Sequence, residues 1–231
     1  MAQSRTVRLA AVILGLGVAA TPAAADPRPV VVELFTSQGC SSCPPADAFL
    51  AELARREGVL ALGFHISYWD RLGWKDPLSS PSSTERQKIY ARRLSGGQVY
   101  TPQIVVEGTE QMVGSDRAAV MAALRRAPPE AIAAVSFADD RRSVAIGGGG
   151  KGEVVLVRFV RQRTTDVAAG ENAGRILRDA NGVRSVARLG AWDGTALEFS
   201  IEPPEAGEGL AVLVQAPDGR MLGAAMLLAP G

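Results

Sequence analysis

The chain has two cysteines, Cys40 and Cys43, separated by Ser41-Ser42. Two thiols three positions apart meet on one helical turn and close a short disulfide, an arrangement suited to exchange more than to cross-linking. The run before them, Val30 to Phe35, is rich in β-branched residues. The run after them, Ala46 to Glu57, carries Phe49, Leu50 and Leu53 at helical spacing. A cysteine at a helix N-terminus faces unpaired N–H groups and the positive end of the helix dipole, and both favour thiolate. On this reading Cys40 is the outer sulfur and the attacking nucleophile, and Cys43, one turn inward, resolves the mixed disulfide. The hydroxyls and N–H groups of Ser41 and Ser42 are expected to donate toward the Cys40 thiolate and so make the pair more oxidising. Pro44-Pro45 sets a constraint, because prolines fit the first helical turn but disfavour helical geometry at the residue before them. Either both prolines occupy that turn, leaving Cys43 closest to the helix start, or the turn is distorted.

A second set of polar residues follows the apolar run Val59 to Ile66, which reads as a strand buried on both faces. In open α/β sheets the carboxyl ends of parallel strands carry the site, which puts His65, Tyr68, Trp69 and Asp70 on the cysteine side. His65 reads as an acid/base partner for Cys40, as one ligand of a Cys-Cys-His metal site, or as a hydrogen-bonded structural histidine. As the only histidine, it excludes a multi-histidine metal centre. Tyr68, Trp69 and Trp74 read as packing for the segment Ser67 to Pro81, with a substrate-facing aromatic rim as the second reading.

The elements that must position these residues alternate between strand and helix from 29 to about 127. After the strand ending at His65, a helix is expected from Ser83, as N-cap, to Leu94. Ile104–Val106 and Gln111–Val113 flank Glu107-Gly108-Thr109-Glu110 as a hairpin, and Asp116 to Arg126 reads as a helix ending before Pro128-Pro129. This order predicts an α/β, thioredoxin-like N-terminal domain over 29–127. In thioredoxin-like proteins a cis proline before the hairpin faces the cysteine pair and presents backbone to an extended substrate. Thr101-Pro102 stands at that place and is the expected substrate-binding pair.

Beyond Pro129 short apolar runs are separated by Gly147–Gly150, Asn181-Gly182, Asp193-Gly194, Pro203-Pro204 and Asp218-Gly219. Their spacing predicts a β-rich, sandwich-like accessory domain over 130–231, with Asp218-Gly219 as its clearest hairpin turn. Gly147–Gly150 lacks the lysine and helix of a phosphate loop.

The first 25 residues read as a cleaved export signal: Arg5 and Arg8, an apolar stretch from Leu9 to Ala20, then Ala23-Ala24-Ala25. No later segment is long and apolar enough to span a bilayer, so the expectation is an exported, periplasmic protein with no membrane span in its mature chain. An oxidising compartment lets a disulfide persist. Net charge of +1 and no basic stripe argue against nucleic acid. No cofactor is expected.

Glu33-Leu34-Phe35-Thr36-Ser37-Gln38-Gly39-Cys40-Ser41-Ser42-Cys43-Pro44-Pro45-Ala46-Asp47 resembles the signature of an uncharacterised family of secreted bacterial proteins with a thioredoxin-like domain. Tyr68-Trp69-Asp70, Leu72-Gly73-Trp74, Arg86-Gln87, Tyr90, Tyr100-Thr101-Pro102-Gln103, Gly170–Arg175 and Gly190-Ala191-Trp192 match its later motifs. Asp179–Arg184 departs from the family's usual Asn-Val-Val-Arg. The resemblance implies fold and location, not a substrate. The function expected from the residues is thiol-disulfide exchange with protein or small-molecule thiols. The alternatives are a copper chaperone using Cys40, Cys43 and His65, and an interaction module whose disulfide is structural.

Overall fold

The computed structural model describes residues 28–127 and 131–230. The export signal expected over 1–25 lies outside the described residues. Strand β1 (Val30–Thr36) and strand β2 (Val59–His65) run parallel, from Val30 opposite Val59 to Thr36 opposite His65. Helix α1 (Pro44–Leu53) crosses between them and buries Phe49, Leu50 and Leu53 against Val32, Leu34 and Ala61. These apolar residues recur at 3- and 4-residue spacing, so one stripe of the helix meets one face of the strands.

Helix α2 (Pro81–Leu94) begins earlier than expected. Its N-cap is Ser80, not Ser83: Ser80 is extended, its hydroxyl accepts from the Ser83 N–H at 3.1 Å, and Pro81 fills the first helical position. Strand β3 (Gln103–Val106) pairs antiparallel with β1 and turns through Glu107-Gly108 into strand β4 (Glu110–Val113). Helix α3 (Arg117–Arg126), capped by the Asp116 carboxylate, closes this half.

The second half adds strands β5 (Ala133–Phe137), β6 (Ser143–Gly148), β7 (Gly152–Asp166), β8 (Ile176–Trp192), β9 (Leu197–Ser200), β10 (Glu208–Gln215) and β11 (Met221–Leu228). The fold is mixed α/β, with three α-helices, a short 3-10 turn at Asp70–Leu72 and a dominant eight-stranded sheet of order β11-β10-β7-β8-β2-β1-β3-β4 among the described residues. A second sheet, β5-β6-β9, packs on the first through Val144, Ile146, Val212 and Trp192. The sheet therefore runs continuously through both halves of the chain. Asp218-Gly219 turns β10 into β11 as expected.

Asn181-Gly182 is not the turn its composition suggested. Both residues lie inside β8, where that strand meets β2 at Gly63 opposite Gly182. Asn181 takes a left-handed φ of 47° and donates its amide to the Ala61 carbonyl at 2.8 Å. A Cβ on Gly182 would lie 2.8 Å from Leu78, so the glycine permits close packing here. Among the described residues no helix is long and apolar enough to cross a membrane.

Candidate functional site

Cys40 and Cys43 are joined as a disulfide with a Cα–Cα separation of 5.5 Å. Pro44 and Pro45 occupy the first turn of α1 and Cys43 is its N-cap residue, its carbonyl accepting from the N–H groups of Ala46 and Asp47. Cys43 is therefore the cysteine closest to the helix start. Ser41 and Ser42 are exposed, and the Ser42 hydroxyl lies 3.2 Å from the Cys40 sulfur.

The Thr101–Pro102 peptide is cis. The Thr101 hydroxyl lies 3.3 Å from Cys40 Sγ, and the Thr101 carbonyl 3.9 Å from it. Trp69 Nε1–H donates to the same hydroxyl at 2.9 Å. Trp69 is thus part of the site rather than only packing for its own segment. Asp70 stands one step back, accepting from the Ser79 hydroxyl at 2.6 Å and the Asp76 N–H at 3.3 Å. The expectation of an exposed outer sulfur is corrected: Cys40 is 1 % exposed and Cys43 fully buried, because Thr101, tied to Trp69, stands against the Cys40 sulfur.

Gln38 connects this surface to a buried charge cluster. Its N–H donates to Asp76 at 2.8 Å, its side-chain amide to Asp179 at 2.7 Å, and its carbonyl oxygen Oε1 accepts from Trp74 Nε1 at 3.2 Å. His65 Nδ1 lies 2.7 Å from Asp76, and Nε2 lies 3.9 Å from Asp179. Asp47, one helical turn after Cys43, accepts from the Thr36 hydroxyl at 2.6 Å.

Burial opposes the charge on His65 most strongly. The charge and hydrogen bond of Asp76, with Asp179 and Asp47 behind them, outweigh that and raise the ring's pKa to about 9. Burial pushes Asp47 up to about 7, against the pull of His65. Asp179 is also raised by burial, whereas Asp76 is held below the usual carboxylate range because His65 and two backbone N–H groups overcome its burial. His65 is therefore an imidazolium enclosed by carboxylates. Its two nitrogens face Asp76 and Asp179, the geometry of the hydrogen-bonded structural reading. Among the described residues no group of three or more His, Cys, Asp or Glu side chains is placed to hold a metal ion.

The β7–β8 hairpin supplies a residue that sequence reasoning did not single out. Asn172, fully buried in its connecting loop, donates its amide to the carbonyls of both Gln38 and Cys40 at 2.9 Å. Glu171 accepts from the Ser41 N–H at 3.0 Å. The only sequence signal for these contacts was the matched run Gly170–Arg175. Gln38, Asp47, Asp76 and Asp179 likewise gained meaning only in three dimensions.

Comparison with known proteins places this arrangement in a family. The crystal structure of an Agrobacterium tumefaciens protein, solved as a structural-genomics target, is similar at 35 % identity and a TM-score of 0.72, covering 90 % of this chain and 96 % of that one. HBP35 of Porphyromonas gingivalis is similar in fold alone, at 14 % identity and a TM-score of 0.54, covering 89 % of this chain and 76 % of that one. No curated protein matches the sequence. The profile of a family described as "protein of unknown function (DUF1223)" matches residues 31–215, and the chain belongs to that family.

Proposed function

We propose that this protein is an exported thiol-disulfide oxidoreductase built on a thioredoxin-like N-terminal unit, with Cys40 as nucleophile and Cys43 as resolving thiol. The observation that carries the reading is the Cys40–Cys43 disulfide at the head of α1 with the Thr101 hydroxyl and carbonyl beside Cys40 Sγ. The order β1-α1-β2-α2-β3-β4-α3, with a cis proline opening β3, supports the thioredoxin-like assignment. The N-terminal run of Arg5, Arg8, an apolar stretch and Ala23-Ala24-Ala25 supports export to the periplasm.

In the reduced protein the Cys40 thiolate attacks one sulfur of a partner disulfide, forming a mixed disulfide and expelling the partner's other sulfur as thiolate, which takes a proton. Cys43 loses its proton and attacks Cys40, expelling the remaining partner sulfur. Two electrons pass from the cysteine pair to the partner, and the reverse sequence oxidises a partner dithiol. Thr101 Oγ1 and Ser42 Oγ lie within hydrogen-bonding reach of the Cys40 sulfur and stabilise its thiolate.

A Cys43→Ala protein is expected to accumulate mixed disulfides through Cys40, and Cys40→Ser to lose exchange. A Cys40→Ser protein exchanging at the parent rate would remove the assignment. The burial of both sulfurs favours a second reading, in which the disulfide only locks the helix start. On that reading Cys43→Ala traps nothing.

A further inference from the structure

A cleft of about 750 Å³ lies beside α1, walled by the free half of the β7–β8 hairpin and lined by Arg55, Arg161, Arg163 and Arg178. A second cleft of about 360 Å³ shares Arg178 and Asp179 with it, adds Arg175, and ends at Pro44 beside Cys43. Together they form an open trough leading toward the cysteine pair.

The trough sets five arginines against two lining carboxylates, Asp179 and Asp47. Elsewhere on the same hairpin Arg158 and Arg184 pair with Glu208, and Arg188 with Glu153. None of the five trough arginines forms a side-chain ion pair among the described residues; Arg175 reaches only the Asn172 carbonyl oxygen Oδ1, at 2.8 Å. All five are exposed. Both carboxylates are buried: Asp179 is engaged by Gln38 and feels the charge of Arg163, and Asp47 accepts from the Thr36 hydroxyl. Of the neighbouring acids, Glu171 is engaged by the Ser41 N–H, and Asp166 lies outside both linings. Guanidinium groups bind carboxylates through paired, charge-assisted hydrogen bonds, and a groove lined by one sign of charge concentrates the opposite sign. The trough is elongated and open, which suits an extended chain better than a compact anion. Ile176, 64 % exposed beside Arg175, offers that chain an apolar contact.

We propose that this trough is a recognition site for an extended acidic polypeptide segment, and that protein substrates of the Cys40–Cys43 pair carry such a segment next to their disulfide. The second clause rests on the redox reading above; the first does not. The test uses the oxidised protein and a fluorescein-labelled decapeptide of alternating Asp and Glu, with its Asn/Gln counterpart as control, read by anisotropy. The acidic peptide is expected to bind at least tenfold more tightly than the neutral one, and less tightly as salt rises. The triple variant Arg161→Gln/Arg163→Gln/Arg178→Gln is expected to lose at least tenfold, while Arg56→Gln, an exposed arginine outside the trough, matches the parent. Equal binding of the two peptides, an unaffected triple variant, or citrate or inorganic phosphate binding more tightly than the acidic peptide would each overturn the site. A disulfide peptide with an acidic flank is expected to exchange at least tenfold faster than one with a neutral flank, and the triple variant to erase the difference. Acidic-peptide binding with no thiol exchange would remove the redox reading and leave the recognition site standing. Exchange that ignores the flank's charge would overturn the substrate assignment alone.

Discussion

Asn172 donates its side-chain amide to the Cys40 carbonyl at 2.9 Å, across 132 positions of sequence. The β-rich half thereby holds the loop that presents the cysteine pair. The same amide reaches the Gln38 carbonyl, so one buried residue fixes both sides of Gly39.

Replacing Asn172 with alanine leaves the Gln38 carbonyl unpaired and the Cys40 carbonyl with the Cys43 N–H alone. The expected cost is about 1–3 kcal/mol, read from urea unfolding. Reduction of the Cys40–Cys43 disulfide by dithiothreitol is expected to quicken, because the loop loses its anchor. A variant that loses stability but is reduced at the parent rate would show that Asn172 does not control the loop.

The Thr101 hydroxyl bridges Trp69 and the Cys40 sulfur. A donor to a thiolate favours the charged form. Thr101→Val is expected to move alkylation of the reduced Cys40 to higher pH. The pH dependence of iodoacetamide alkylation of the reduced protein reads this directly, and an unchanged profile would exclude the contact in the reduced state.

The buried cluster makes stability depend on pH in a defined direction. Folded Asp47 keeps its proton up to about pH 7 against an ordinary value of 3.8, so the unfolded chain binds fewer protons between those limits and stability falls as pH rises. Folded His65 stays protonated to about 9 against 6.5, so its contribution is complete below 6.5 and lost as pH rises through about 9. Raised Asp179 adds to the first window, while Asp76, whose pKa is lowered, acts with the opposite sign at more acid pH. Urea midpoints are expected to decline from pH 5 to pH 9, and Asp47→Asn to flatten the lower part. Midpoints that climb through this range would contradict the assignment.

A second buried charge supports the sheet. Glu33 is fully buried and receives hydrogen bonds from Arg86 and the Tyr90 hydroxyl. Arg86→Met strands the carboxylate and is expected to cost about 3–5 kcal/mol. The double variant Glu33→Gln/Arg86→Met is expected to recover part of that loss in the same unfolding assay. Equal losses in both would mean that packing of the Arg86 stem, not its charge, matters.

What was legible in the sequence is what nearby residues determine. The strand before Cys40, the helix after Cys43 and the hairpin at Glu107-Gly108 follow from patterns within a few residues. Asn181-Gly182 misled because turn chemistry and a tight strand crossing use the same two residues: one tolerates a left-handed φ, the other lacks a Cβ. The start of α2 was misplaced by three residues because Ser80 and Ser83 have the same capping chemistry, and only Pro81 distinguishes them. Asp179 joined Asp47, Asp76 and His65 through the parallel β2–β8 contact, which leaves no local periodicity to read. The trough arginines likewise look like ordinary surface charge until their missing partners are seen.

The central claim, that this cysteine pair exchanges with other thiols, is tested most directly by equilibrating the protein with defined glutathione buffers and measuring its reduction potential. An exchanging pair is expected above about −300 mV; a value below that, in the range of inert structural disulfides, would contradict the account.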